Sequence, residues 1–454
     1  MGFGGRLGGI GAGVLLGLAA CSDDAGPAAP PPAPAIEAGV DAGVVLERDA
    51  AADVEAATAI VVRTSVPPSS LSPGGPANAT WAAVRDGSGP WATLAASAPG
   101  TYSFGVHGAR WAVAFACADD KNALVTIHER PVATASLDVA LEEQCGSAPS
   151  PSYVLHGTFT HVPLASGWLD FAYALDARGA VIVTSGESAP YEIVNVVEGT
   201  WDIAFGLRDQ AGTPLTKIAM LRGRALTGDA LLDVDLETSA FVPGSKKLTL
   251  GGLSPEETVA AQIAYTTTAG GEGIDVGPQD VPNAPLVEVA YSTIPAAAQQ
   301  ASDRYRAAIV ASGPDALATR GVRGTFHEAI DLSVELPAAM PEPSTTVAAT
   351  APWLRLSTIF STRPGADVYE VLASARITQK SRRAWRMTLE ASPANATALA
   401  IVMPDLSNVP GFDPAWAIPP ELERRVTATV TEKSSPLGDG SSARFAASTV
   451  VVVP

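Results

Sequence analysis

Three acidic residues that alternate with apolar ones are the first candidates for chemistry in this sequence. Asp233, Asp235 and Glu237 are separated by Val234 and Leu236, so on a β-strand the three carboxylates would share one face. Ca²⁺ prefers carboxylate oxygens as ligands, but a bare strand lacks the curved loop that gathers them. A solvated outer strand face explains the same alternation, and the pattern favours that interpretation. The three residues are therefore weak candidates for metal ligands, and the sequence predicts no cofactor.

A second candidate is a loop near the end of the chain, residues 404–416, with three prolines, one glycine and two aromatic residues. Phe412, Asp413 and Trp416 form a candidate surface for a sugar or peptide ligand. A rigid loop that packs its own rings against the last domain also explains this composition. Because aromatic rings gain much from burial, we favour the packing interpretation.

Motifs for nucleophilic, nucleotide-dependent or zinc-dependent catalysis do not occur in the sequence. There is no G-x-S-x-G turn, no phosphate-binding loop and no H-E-x-x-H pair. His156 and His161 lie close together, but strand parity would direct them to opposite faces. Two carboxylates that cleave a glycosidic bond are paired in space and not in sequence. A secreted hydrolase with a carboxylate-based active site therefore stays open as the alternative to a non-catalytic protein.

The beginning of the chain predicts export and lipid attachment. The apolar run at residues 10–20 is too short for a membrane-spanning helix. It ends in Leu18-Ala19-Ala20-Cys21, which resembles the lipobox of bacterial lipoproteins. The resemblance implies that the preceding residues are a signal peptide and that Cys21 carries the acyl chains; an ordinary signal peptide followed by a chance cysteine is the alternative. By the same resemblance, Ser22 implies anchoring in the outer membrane.

Residues 21–58 are rich in proline, alanine and acidic residues. They contain too few large apolar side chains to offset the entropy of ordering, so we expect a disordered tether. The whole chain has a net charge of −18, which repels nucleic acid. The expected partners are therefore the membrane, through the lipid anchor, and a protein or carbohydrate ligand.

With Cys21 assigned to lipid, Cys117 and Cys145 remain as an even pair. Cys117 shares strand parity with Trp111 and Phe115, which the alternation places in a core. Exported proteins meet an oxidising compartment, so the sequence predicts a Cys117–Cys145 disulfide inside the first domain. Two buried free thiols are the alternative.

Most of the chain after residue 58 shows the period-two alternation of half-buried strands. Trp111, Val113 and Phe115 alternate with alanines, and turn-forming residues recur at short intervals. The 37 Pro and 42 Gly residues argue against a helical protein. The sequence therefore predicts an all-β fold of tandem β-sandwich domains, Ig-like or transthyretin-like in type.

Aromatic residues that open alternating segments suggest a repeat of about 100 residues, the size of one sandwich domain. These residues are Tyr102, Trp201, Tyr305 and Trp385, and the first two follow a Gly-Thr pair. Chance recurrence of strand composition is the alternative, above all for the last two. The repeat predicts equivalent core positions in four separate sandwiches, with these boundaries: 1–20 signal peptide, 21–58 tether, and sandwiches at 59–149, 150–243, 244–341 and 342–454.

The second predicted sandwich resembles a known family. Residues 191–203, which run from Tyr191 through Glu198-Gly199-Thr200 to Trp201 and Ile203, are similar to the end of transthyretin-like, or carboxypeptidase-regulatory-like, β-sandwich domains. The resemblance covers residues 152–208 and implies a structural or adhesive module. Together these features favour a lipid-anchored envelope protein with a non-catalytic binding or scaffolding role. An accessory subunit of a larger envelope assembly is a further possibility.

Overall fold

The computed structural model describes most of the chain after residue 56. The described ranges are 57–67, 74–146, 151–162, 167–173, 178–183, 188–208, 214–267, 273–278, 281–282, 284–390, 398–433, 437 and 439–452. The predicted signal peptide, Cys21 and nearly all of the predicted tether lie outside the described residues.

The described residues form β-strands joined by turns, so the predicted all-β, β-sandwich-type fold is confirmed. Helical geometry among them is confined to three 3₁₀ turns, Glu143–Cys145, Ala296–Ala298 and Pro414–Trp416. No helix in this described part is long and apolar enough to cross a membrane.

The first unit has a small and a large sheet. Its strands are β1 (Thr58–Val66), β2 (Gly75–Pro76), β3 (Trp81–Asp86), β4 (Ala92–Thr93), β5 (Thr101–Val106), β6 (Arg110–Ala118), β7 (Ala123–Pro131) and β8 (Ser136–Ala140). In the small sheet, β1 pairs antiparallel with β5 and parallel with β8. In the large sheet, the strand order is β4-β3-β6-β7.

The second unit repeats this arrangement. Its strands are β9 (Ser152–Thr160), β10 (Gly167–Tyr173), β11 (Arg178–Val183), β12 (Ser188–Val197), β13 (Gly199–Arg208), β14 (Lys217–Leu226), β15 (Ala230–Leu231), β16 (Val234–Asp235) and β17 (Ala240–Phe241). Strand β9 pairs antiparallel with β12 and parallel with β15 and β16. The other sheet has the order β11-β10-β13-β14-β17.

The third unit follows the same plan. Its strands are β18 (Gly244–Gly251), β19 (Thr258–Thr266), β20 (Ile274–Asp275), β21 (Val287–Thr293), β22 (Arg304–Ser312), β23 (Ala318–Phe326) and β24 (Leu332–Glu335). Strand β18 pairs antiparallel with β21 and parallel with β24. The partner sheet begins β20-β19-β22-β23.

The fourth unit is a variation on the plan. Its strands are β25 (Ser344–Ala349), β26 (Arg355–Ser361), β27 (Ala366–Thr378), β28 (Ser381–Glu390), β29 (Ala398–Val402), β30 (Arg424–Lys433) and β31 (Ser441–Val452). Strand β26 pairs with β25 and β29, both antiparallel. Strand β25 thus takes the place that a parallel last strand has in the other units.

The repeat predicted from four aromatic residues is wrong in its register. Tyr102, Trp201, Tyr305 and Trp385 are all at most 5% exposed and belong to four different hydrophobic cores. They lie, however, on β5, β13, β22 and β28, and only β13 and β22 correspond in the shared pairing scheme. The residue of the first unit that corresponds to Trp201 and Tyr305 is Trp111 on β6, which is fully buried.

A second set of aromatic residues marks the strand that pairs antiparallel with the first long strand of a unit. Tyr102 on β5, Tyr191 on β12 and Tyr291 on β21 are buried. The Tyr191 hydroxyl donates to the carbonyl of Leu232, between the parallel strands β15 and β16, and the Tyr291 hydroxyl donates to the carbonyl of Ile330, just before the parallel strand β24. The Tyr102 hydroxyl instead accepts the backbone N–H of Ala79, at 2.9 Å. In the second and third units, these hydroxyls tie the parallel strand to its sheet.

The large sheets of the first, third and fourth units are continuous, whereas the large sheet of the second unit is separate. Twelve of the described strands form one sheet in the order β20-β19-β22-β23-β31-β30-β27-β28-β7-β6-β3-β4. Antiparallel pairing of β23 with β31 joins the third unit to the fourth, and parallel pairing of β28 with β7 joins the fourth to the first. The described residues from 57 to 452 belong to one compact unit.

Strand β6 shows how the junction between the first and fourth units is packed. Trp111, Val113 and Phe115 face the core of the first unit. Ala114 and Ala116 face the opposite way and belong to the core of the fourth unit, together with Trp385. The sheet is therefore buried on both faces here, and alanine's small side chain lets the fourth unit approach closely.

Candidate functional site

The predicted disulfide is present and lies within the first unit. Cys117 on β6 bonds Cys145 in the 3₁₀ turn, with their Cα atoms 5.0 Å apart. The bond closes a loop of 28 residues and holds the turn against the sheet. Glu142, directly before this turn, reaches Arg386 of the fourth unit at 3.8 Å.

The three alternating carboxylates lie where strand periodicity places them, with Val234 and Leu236 buried behind them at 1% exposure. The Asp233 carboxylate accepts the backbone N–H of Thr158 at 2.9 Å. Asp229 accepts the N–H of Val154 in the same way, at 2.8 Å. These contacts fasten the segment to β9, so the acidic face helps to hold the small sheet of the second unit together.

Asp235 and Glu237 engage a histidine instead of gathering around a common point. The Asp235 carboxylate lies 2.8 Å from His161 Nδ1, and Glu237 lies 3.7 Å from His161 Nε2. The backbone N–H of Glu237 and the His161 side chain hold the pKa of the Asp235 carboxyl below its usual range. Among the residues that the structure describes, no group of three or more His, Cys, Asp or Glu side chains is arranged to hold a metal ion.

A shallow groove of about 670 Å³ crosses the outer face of β9 and β12. His156 and Glu192 are direct cross-strand partners in it, and the exposed Leu231 forms part of its wall. Tyr191 lies at its base, where burial, together with the nearby Asp233, raises the pKa of its hydroxyl. Nothing in the sequence spacing indicates this groove, because His156 and Glu192 meet only through the register of two strands.

The loop at residues 404–416 packs inward. Phe412 is half-buried, and its ring lies 5.3 Å from Trp81, 4.9 Å from Trp353 and 5.5 Å from Trp416. Asp413 is exposed, but its carboxylate accepts the N–H of Ala415 and caps the 3₁₀ turn. Phe412 and Trp416 are partly buried and pack against the core of the fourth unit, as the packing interpretation of the sequence predicts.

The same loop joins the fourth unit to the first. The carbonyl of Pro410 accepts the indole N–H of Trp81 at 3.1 Å and the hydroxyl of Thr93 at 3.0 Å. Arg383 donates to the carbonyl of Ala415 at 2.7 Å. The loop therefore fixes the orientation of two units that also share a sheet.

A buried ion pair, which the sequence did not indicate, joins the second unit to the third. Asp303 is fully buried and bonds both guanidinium NH₂ groups of Arg222, one of them at 3.1 Å. The Tyr265 hydroxyl and the backbone N–H of Gln300 also donate to Asp303. Arg222 lies 3.5 Å from Asp202 as well. Every polar atom of the Asp303 carboxylate is thus engaged, which is typical of a structural ion pair.

Comparison of the chain with models of known protein families and with curated proteins finds no match in either.

Proposed function

We propose that this chain is a lipid-anchored protein of the bacterial cell envelope whose β-sandwich units act as a non-catalytic binding or scaffolding module. The observation that carries the proposal is the twelve-stranded sheet. A sheet shared by three units resists bending between them and presents one broad surface, which suits a scaffold or a binder of extended ligands. Catalytic clefts more often enclose a small substrate.

The cellular location in this proposal rests on the lipobox at Leu18–Cys21 and on Ser22, which favours the outer membrane. The Cys117–Cys145 disulfide supports an oxidising compartment such as the periplasm or the cell surface. The two-sheet arrangement of the second unit supports its assignment as a transthyretin-like module of structural or adhesive type.

Replacing Cys21 by alanine should release the protein from the membrane, because the proposal gives it no other anchor. Stable attachment needs more than one acyl chain, and all chains depend on this thiol. Wild type labelled with palmitate in cells should fractionate with membranes, and Cys21→Ala should be unlabelled and soluble. Cys117→Ala is the matched control and should keep both label and membrane location. Label or membrane attachment that survives Cys21→Ala would contradict the anchor.

The binding role can be separated from the hydrolase alternative in one assay. The soluble Cys21→Ala protein is mixed with purified cell-envelope polysaccharide and sedimented, and reducing ends are then measured in the supernatant. We expect the protein to sediment with the polysaccharide and to release no reducing ends. Release of reducing ends would identify a hydrolase, and protein that stays in the supernatant with polysaccharide and with whole envelopes would refute the binding role.

A further inference from the structure

We infer that the outward face of strands β28, β27, β30, β31 and β23 binds a linear polysaccharide that carries carboxylate groups. We call this surface the arginine–threonine face. It is formed by Arg323, Arg376, Arg382, Arg386, Arg425, Thr427 and Thr449. The inference deepens the proposed binding role and rests on it, because it names the surface and the ligand class.

The strand registers place these arginines on one side of the sheet. On β27, Val371 and Ala373 are buried in the core of the fourth unit, so Leu372 between them points outward. Leu372 pairs with Arg386 on β28 and with Thr427 on β30. The remaining members of the face follow by the same register: Arg376 opposite Arg382, Arg425 opposite Ser374, Thr449 opposite Thr427, and Arg323 opposite Ala443.

This face is locally basic although the chain is acidic, because its five arginines outnumber Glu370, whose carboxylate lies among them. The chain as a whole has a net charge of −18, yet the arginines of the face are crowded together. Burial, together with the neighbouring Arg386 and Arg376, lowers the pKa of Arg382, although the carboxylate of Glu142 opposes this. A local excess of guanidinium groups on an acidic protein attracts an anionic ligand and orients it toward this one surface.

The hydrogen-bonding capacity of two of these arginines is incompletely used. Arg386 Nε and Arg425 Nη1 are inaccessible to solvent and have no hydrogen-bond partner among the described residues. The ion pairs of Arg386 with Glu142 and Glu370 are long, at 3.8 and 3.9 Å. Those two nitrogens lie too deep to contact a ligand and contribute positive charge only. A guanidinium group binds a carboxylate through two parallel N–H donors, and the exposed guanidinium groups of Arg323, Arg376 and Arg382 are the ones that can do so here.

Other contacts hold the face in a binding-ready geometry. The Arg323 guanidinium lies 4.7 Å from the centre of the Phe445 ring, which restricts its side chain while leaving the residue exposed. The hydroxyls of Thr427 and Thr449 lie 2.9 Å apart on neighbouring strands. Hydroxyl groups both donate and accept hydrogen bonds, so they match the hydroxyls of a sugar ring.

The dimensions of the face favour a polymer over a small anion. Five adjacent strands are separated by four gaps of about 4.8 Å, which gives a width of about 19 Å. A flat surface of this width cannot enclose a single small ion but can lie along several sugar residues. An acidic sugar polymer combines carboxylates with hydroxyls, as the face combines guanidinium groups with threonine hydroxyls.

The test uses sodium polygalacturonate as the acidic polymer and dextran as the neutral one. Affinity electrophoresis of the soluble Cys21→Ala chain should show retardation by polygalacturonate, weakening as salt is added, and none by dextran. Arg323→Gln combined with Arg382→Gln should reduce the affinity about tenfold or more, since both residues are exposed members of the face. Arg63→Gln combined with Arg224→Gln removes the same charge from exposed sites elsewhere and should leave the affinity within about twofold.

Each outcome decides something. Equal affinity of the two double variants would place the binding site elsewhere, and equal retardation by dextran would refute the role of charge. Stronger retardation by poly-glutamate than by polygalacturonate would identify an acidic protein as the partner and overturn the polysaccharide. If the wild-type chain is not retarded by polygalacturonate but still sediments with whole envelopes, this inference is refuted and the proposed binding role is not.

An unchanged thermal unfolding midpoint shows that a variant is folded. If the double variant unfolds at a lower temperature than wild type, the affinity of the single variant Arg323→Gln is used in its place.

Discussion

Replacing Asp303 by alanine is expected to lower the free energy of unfolding by about 3 kcal/mol or more, because it leaves the Arg222 guanidinium without its main partner. Asp303 is fully buried, and the Arg222 side chain is 20% exposed. The Tyr265 hydroxyl would lose its acceptor as well. Urea unfolding followed by tryptophan fluorescence measures the change. Glu256→Ala removes an exposed carboxylate from the same unit and should stay within about 0.5 kcal/mol of wild type.

The same carboxylate should make the stability depend on pH in the acid range. Burial by itself would raise the pKa of Asp303, but hydrogen bonds from Arg222, Tyr265 and the Gln300 N–H outweigh it and hold the pKa below its usual range. A carboxyl with a lowered folded-state pKa stabilises the protein above its unfolded-state pKa of about 3.9 and loses that effect as the pH falls through its folded-state pKa.

Wild type should therefore lose stability between about pH 5 and the lower folded-state pKa of Asp303, and Asp303→Asn should lose less over the same interval. The comparison is made by urea unfolding at a series of pH values. If the free energies of unfolding of wild type and Asp303→Asn fall equally as the pH is lowered, Asp303 does not contribute to the loss of stability in acid. That result would contradict the account of this ion pair.

The sequence predicts features that depend on neighbouring residues far better than features that depend on strand register. Alternation over a few residues was enough to place Val234 and Leu236 in a core with acids on the other side. It was also enough to put Cys117 on an inward face, from which the disulfide forms. Both results follow from the two-residue period of a strand, which any short segment displays.

The Gly-Thr pair does not mark the register of the repeat, because it precedes strands with different places in the fold. Gly100-Thr101 leads into β5, whereas Gly199-Thr200 begins β13, and these two strands have different places in the pairing scheme. Both glycines adopt positive φ angles, 64° at Gly100 and 155° at Gly199. Glycine therefore serves the turn geometry at each site and does not mark an equivalent position.

The sequence does not predict the continuous sheet or the arginine–threonine face, because both depend on which distant strands pair. The parallel pairing of β28 with β7 joins segments more than 250 residues apart, and no periodicity specifies which edge strands meet. The alanines of β6 are the sequence feature that indicates this junction. Alanine at every second position beside Trp111 and Phe115 departs from the polar residues expected on a solvated face, and indicates a second packed surface.

Replacing Trp385 by alanine is the substitution expected to act most widely. Trp385 is 1% exposed, pairs with Val125 of the first unit across the β28–β7 junction, and lies 6.1 Å from the Phe412 ring. Truncating a large buried aromatic side chain removes about 3–5 kcal/mol of stability through lost contacts and the cavity left behind. Because its core contains Ala114 and Ala116 of β6 as well as residues of the fourth unit, the loss should reach both units.

Trp201→Ala is the matched control, because it removes the same side chain from a core confined to the second unit. Trp201 is 5% exposed, and the described members of its core lie between residues 155 and 240. Native-state hydrogen exchange measured on peptides resolves the two effects. Trp385→Ala should speed exchange in β6 and β7 together with β27, and Trp201→Ala should speed it in β9, β12 and β13 while β6 and β7 keep their protection.

The outcome bears on how the protein works as well as on how it folds. If exchange in β6 and β7 rises only after Trp385→Ala, the first and fourth units open as one cooperative body, as a shared sheet and a shared core require. The arginine–threonine face borders this junction, since β28 carries Arg382 and Arg386 and pairs directly with β7. Trp385→Ala should then weaken polygalacturonate binding although the indole does not touch that face. Exchange that rises in β27 and β28 alone would mean that the parallel pairing is a loose contact between independent units. That result would contradict the proposal that the shared sheet resists bending between the units.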